Sequence, residues 1–153
     1  MPERSVDTIE RMAMLVIWGE NVDPARIAEA CGWKEWQPQV AWRKGEKVWT
    51  RNLDGTVRYL DDVYEYGQLK LWPKREWLSL TLEEQVQHWI DVLSAKSTGL
   101  AQFKNEGATI TLHCALLAND MYDLSAEIQS KLGSLGVNLG IEVAVSQTAD
   151  VAA

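Results

Sequence analysis

The chain has 153 residues, 46% apolar and 24% charged, which excludes intrinsic disorder over most of its length and matches the usual size of one domain. Its formal net charge is −7, and Lys and Arg gather only in pairs such as Arg43-Lys44 and Lys74-Arg75, so nucleic acid is not an expected partner. Two cysteines, Cys31 and Cys114, are too few for a disulfide scaffold, and the apolar run Met12 to Trp18 is too short to span a membrane.

The start, Met1-Pro2-Glu3-Arg4, lacks a signal-peptide pattern, so the cytoplasm is the expected location. One count is out of line: eight tryptophans against one phenylalanine. Six of them, Trp33, Trp36, Trp42, Trp49, Trp72 and Trp77, fall in one stretch. Tryptophan fills cores, but it is seldom wholly buried and is enriched where proteins bind. Both readings stand at this point.

Residues 9–18 alternate with apolar side chains on both faces, Met12, Met14, Val16 and Trp18 against Ala13, Leu15 and Ile17, which predicts a central strand. Asp23-Pro24 is an N-cap and first-turn pair, and Gly32 stops the short helix they begin. Trp36 to Arg43 reads as a strand weakened by Pro38. Lys44-Gly45 is a turn. Residues 48–53 and 56–60 flank Asp54-Gly55, which predicts a hairpin with a type I′ turn. Residues 67–72 form a further strand, closed by Pro73.

Thr81-Leu82-Glu83-Glu84 has the capping-box form. The helix after it carries Leu82, Val86, Trp89, Ile90 and Leu93 on one face and runs, with a break near Ser97 to Gly99, to Glu106. Gly107 ends it. Residues 108–117 alternate as a strand. Asp123 or Ser125 caps a third helix with Leu124, Ile128, Leu132 and Leu135 on its face, closed by Gly133 and Gly136. Leu139, Ile141, Val143 and Val145 make a clean amphipathic strand. The expected order is β-α-β, a hairpin insert, then β-α-β-α-β. The fold class is α+β, with a mixed or mostly antiparallel sheet and two to three helices on one face. A single domain over residues 1–153 is expected, with its ordered core at about 9–146.

These segments resemble a bacterial family named domain of unknown function 4279. The resemblance rests on an ordered set: Asp23-Pro24 with Ile27 and Gly32, Trp42-Arg43-Lys44-Gly45, Trp77-Leu78-Ser79-Leu80 before the helix carrying His88, His113-Cys114-Ala115, and the run Leu132 to Val143. It implies the same α+β fold and supplies no activity. Thr50 to Gln68 departs from the family picture, being longer, more acidic and richer in tyrosine.

No phosphate-cradling loop, nucleophile elbow or zinc ribbon is present, so no catalytic residue, metal or cofactor is assigned. His113 and Cys114 are strand neighbours and point to opposite faces, which rules out a dyad between them. Cys114 and Cys31 read as buried, inert thiols. His88 and His113, with Glu84 or Asp91, could meet only through the fold. The remaining candidate is Trp36 to Tyr66, where Trp42, Trp49 and Tyr64 stand beside Asp61, Asp62 and Glu65. Aromatic anchors with carboxylates suit a basic protein partner, and a small satellite core is the other account of the same residues. The expectation is a non-catalytic protein-interaction module, such as an immunity-type inhibitor of a basic toxin. The alternative is a carbohydrate or small-ligand site, or an enzyme, using His88 and His113 beside a tryptophan-lined cleft. A homodimer through an edge strand at residues 139–145 is also open.

Overall fold

The computed structural model describes residues 11–36, 38–117 and 122–144. Among them are seven strands and four α-helices. In chain order these are β1 (Arg11–Gly19), α1 (Pro24–Cys31), β2 (Pro38–Trp42), β3 (Lys47–Arg51), β4 (Val57–Val63), β5 (Gly67–Leu71), α2 (Leu82–Ala95), α3 (Ser97–Asn105), β6 (Thr109–Leu117), α4 (Ala126–Leu135) and β7 (Asn138–Ala144). A 3₁₀ turn, Arg75–Ser79, precedes α2. The α+β class and the element order follow the sequence reading. The main sheet is mostly antiparallel, in the order β2-β5-β1-β6-β7, and β3 and β4 form a second sheet of their own.

β1 takes the middle of the main sheet, as its two apolar faces require. β2 is an edge strand, the place in a sheet where proline is tolerated, and its register against β5 shifts between Pro38 and Val40. β6 and β7 are parallel, Thr111 opposite Asn138 through Leu117 opposite Ala144, because α4 carries the chain back between them. Ile9, Gln37 and Val145, which the sequence reading placed in strands, lie outside the described residues.

Helix ends follow local chemistry. Asp23 accepts from the Ala25 N–H, Thr81 from Glu84 and Ser125 from Ile128, while Gly32 and Gly136 take left-handed conformations after α1 and α4. Three expectations need correction. The break after α2 falls at Lys96, just before the expected stretch. Gly133 lies inside α4, and Gly136 alone ends it. The hairpin turn is not type I′, since that type needs positive φ at both central residues and only Gly55 has it. Instead Gly55 N–H donates to Asn52 O (2.9 Å) and Asn52 N–H to Thr56 O (2.8 Å), a three-residue loop. Asp54 accepts from the Thr56 hydroxyl (2.6 Å) and N–H (2.9 Å), bonds that hold its pKa below the ordinary carboxylate value.

The chain groups into two compact units. The first comprises Met1–Leu15, Trp72–Ser97 and Thr111–Ala153. Its core takes Ala13, Met14 and Leu15 of β1, Leu112, Cys114 and Leu116 of β6, Ile128 and Leu132 of α4, and the expected face of α2. Each large side chain buried there contributes about 1.5–3 kcal/mol. One polar residue is buried among them, Gln85. Its Oε1 accepts from the Ala13 N–H (3.0 Å), and its Nε2 donates to Arg11 O and Leu80 O (both 3.4 Å). One turn on, the Trp89 indole N–H donates to Ala13 O (2.8 Å). Side chains of α2 thus satisfy both backbone groups of a buried β1 residue.

The second unit comprises Val16–Leu71 and Thr98–Ile110. Ile17, Val22, Ile27, Cys31, Trp33, Leu69, Leu71, Leu100, Phe103 and Ile110 are buried within it. Gly67 lies so close to the Val22 carbonyl that a Cβ there would collide with it, and this fixes β5 beside the segment leading into α1.

Replacing Gln85 with Leu strands the Ala13 N–H in the core, and Trp89→Phe strands its C=O. Each substitution is expected to cost about 1–3 kcal/mol, read as a lower urea midpoint with an unchanged slope. A midpoint at the wild-type value for both variants would contradict this assignment.

Candidate functional site

The hairpin β3–β4 carries three of the six residues singled out by sequence, Trp49, Asp61 and Asp62, while Trp42 ends β2 and Tyr64 and Glu65 follow β4. Trp49 stands directly opposite Tyr59, and Arg51 opposite Val57, so these four share one face, as the alternation predicts. Lys47 pairs with Val63. Between those two registers one β3 residue, Val48, faces three β4 residues, Leu60, Asp61 and Asp62. The acidic pair therefore occupies a bulge in the ladder, and Asp62 Oδ1 accepts from the Val63 N–H (2.8 Å).

The satellite-core account of this face does not fit its exposure. Trp49 is 44% exposed, Val57 47% and Tyr59 65%. Asp61, Asp62 and Glu65 are exposed as well. From Trp42 to Tyr66 the five acidic residues (Glu46, Asp54, Asp61, Asp62, Glu65) are matched by five basic ones (Arg43, Lys44, Lys47, Arg51, Arg58), so this stretch is neutral while the chain as a whole is at −7.

At the base of the hairpin the backbones of Gly45 and Glu46 bond to that of Tyr64, by Gly45 N–H to Tyr64 O (2.9 Å) and Tyr64 N–H to Glu46 O (3.0 Å). Tyr64 then stacks flat on Trp42, with ring centroids 3.9 Å apart and planes 5° from parallel. Two of the predicted site residues are thereby brought together, and such a pair is worth about 0.5–1.5 kcal/mol beyond its buried area.

Trp42 also lines a cavity of about 680 Å³ within the second unit. Its walls come from α1 and its cap (Asp23, Ala25, Ala28, Glu29), the following loop (Trp33, Lys34, Trp36), the β2 end (Trp42, Arg43, Glu46) and β5 (Leu69, Leu71). Ile27 and Cys31 point α1 into the core. The small Ala25 and Ala28 leave the room that the cavity fills. Trp33 is buried and meets Trp36 edge-on at 6.4 Å. Arg43 Nε donates to Glu46 Oε1 (3.1 Å). That bond first, and the charge of Asp23 second, raise the pKa of the arginine above its usual value. Lys34 lies 4.0 Å from Glu29. Sequence reasoning missed the contribution of α1 to this cleft. The available signal was the pair of small residues on the side of α1 away from Ile27 and Cys31.

Neither histidine lines the cleft. His88 stacks on Trp77 (4.9 Å, 9°), and His113 Nε2 lies 2.9 Å from Glu142 Oε2. Among the described residues no group of three or more His, Cys, Asp or Glu is arranged to hold a metal ion. No helix among them is long and apolar enough to cross a membrane. β7 occupies a sheet edge, and Leu139, Ile141 and Val143 are each more than one-third exposed.

Both cysteines are buried, and neither is in a disulfide. Burial pushes the Cys114 thiol from 9.0 up to about 11. A thiol that keeps its proton in the fold contributes stability that is full below about pH 9 and is lost as pH rises towards about 11. At pH 8 the folded chain is expected to resist a disulfide thiol reagent and to release two equivalents of thiol only once unfolded. Rapid labelling of the folded chain would refute this.

No curated protein and no solved structure matches the chain. A family model described as domain of unknown function (DUF4279) matches residues 8–146. With that match running over most of its 153 residues, the chain belongs to the DUF4279 family.

Proposed function

We propose that this chain is a non-catalytic protein-interaction module that recognises its partner with the hairpin β3–β4. The observation that carries the reading is the exposure of Trp49, Val57 and Tyr59 on one face of a two-stranded sheet. A two-stranded ribbon has little stability to gain from holding such residues in water. Tryptophan and tyrosine on an open face are the side chains from which binding hot spots are built. Each strand of the ribbon has one ladder partner, so an extended segment of a partner can add as a third strand and lay alternate side chains on the aromatic face. The net charge of −7 favours a basic partner through long-range attraction, while the neutral hairpin supplies the contact. An immunity-type inhibitor of a basic bacterial toxin fits both properties. Buried thiols outside any disulfide fit a reducing compartment, and the cytoplasm is the location this reading assigns.

The test compares the wild-type chain with a Trp49→Ala, Tyr59→Ala double variant as bait against its native host. The variant is expected to keep its unfolding free energy to within about 1 kcal/mol, since both side chains are exposed, and to lose the captured partner. In the wild-type complex the β3 and β4 amides should gain protection from hydrogen exchange. Retention of the same partner by the double variant would sink the proposal.

Self-association is a second reading, favoured by the exposed Leu139, Ile141 and Val143 on edge strand β7. Light scattering should then give a dimer mass that Ile141→Lys reduces to a monomer. A monomeric wild-type chain at high concentration would exclude it.

A further inference from the structure

The cleft beside α1 is a separate feature from the hairpin face, and its chemistry selects a ligand class. Its volume, about 680 Å³, lies inside the range of roughly 300–1,000 Å³ common to small-molecule sites. Three tryptophans, Trp33, Trp36 and Trp42, face it. Trp42 is held in plane by Tyr64 on one side, so what remains of its ring surface is presented in a fixed orientation.

The charged groups of the wall are engaged with one another. Arg43 donates to Glu46, Lys34 lies beside Glu29, and Asp23 Oδ1 accepts from the Ala25 N–H. A sugar requires several convergent donors and acceptors that are not already committed. A primary ammonium is strongly hydrated and requires acceptors to replace its water. What the cleft offers instead is aromatic surface and negative potential: three carboxylates (Asp23, Glu29, Glu46) stand against two cations (Lys34, Arg43), a net charge of −1.

We propose that this cleft binds a quaternary ammonium group. Such a cation has no hydrogen-bond donor to satisfy, loses little hydration on entering an apolar site, and is attracted by the negative faces of indole rings and by the excess carboxylate. The same headgroup occurs on small solutes such as choline and on trimethylated lysine side chains.

Isothermal titration of the full-length chain tests this with choline, with its uncharged isostere 3,3-dimethylbutanol, with glucose, and with a short peptide carrying one trimethyl-lysine. Choline should bind at a single saturable site, about tenfold or more tighter than the isostere, with no heat from glucose. Glu29→Lys reverses one charge on the exposed side of α1. It should weaken choline about fivefold or more while leaving the isostere unchanged, a split that a merely damaged fold would not produce. Trp36→Ala should weaken both. A peptide that binds tighter than choline assigns the cation to a modified protein side chain, and equal binding assigns it to a free solute. Equal affinity for choline and the isostere, stronger binding of glucose, no choline heat, or indifference to Glu29→Lys would each overturn the proposal.

Discussion

The first unit depends on a backbone need met by side chains. Ala13 sits wholly buried in the central strand, and its N–H and C=O are taken by Gln85 and Trp89 of α2. A buried peptide group left unpaired would cost as much as several apolar contacts gain. The two bonds therefore fix the rotation of α2 about its axis as well as its distance from β1. With the helix so held, Leu82, Val86, Ile90 and Leu93 fall on the core, and Trp77 meets Trp89 edge-on at 5.2 Å. His88, next in sequence to Trp89, is directed to the exposed flank, where it lies flat on Trp77.

Much of the fold could be read from sequence because its signals are local. Asp23-Pro24, Thr81 and Ser125 start helices by bonding N–H groups within three residues, and Gly32 and Gly136 end them through their own backbone freedom. The alternation in 109–117 places Ile110, Leu112, Cys114 and Leu116 inside without reference to anything distant. The features missed were those set by partners far away or by competing bonds. Gln85 is polar and breaks an apolar face, and its place in the core makes sense only beside Ala13, 72 residues earlier. Asp-Gly suggested one turn type, and the bonds from Thr56 to the Asp54 carboxylate selected another.

The candidate site was legible in its members and illegible in its form. Trp42 and Tyr64 were named, but their stacking needs the hairpin to return to its base, and the double acidic step at Asp61-Asp62 had to be taken up as a bulge for it to do so. The cleft wall from α1 depends on packing that joins residues 23–29 to 69–71, which no local pattern encodes. Six of the eight tryptophans, ambiguous as a count, resolve into roles. Trp77 and Trp89 are core, Trp33 is buried at the cleft wall, Trp36 and Trp42 are half-buried there, and Trp49 is open to solvent on the hairpin.

That division of the tryptophans is the claim on which the functional account stands. It is tested most directly by indole-resolved nuclear magnetic resonance of the free chain with a soluble paramagnetic probe. The account predicts strong broadening of the Trp49 indole signal, intermediate effects at Trp36 and Trp42, and sharp, protected signals from Trp77 and Trp89. A protected Trp49 would make the hairpin face a small core after all and would contradict the account.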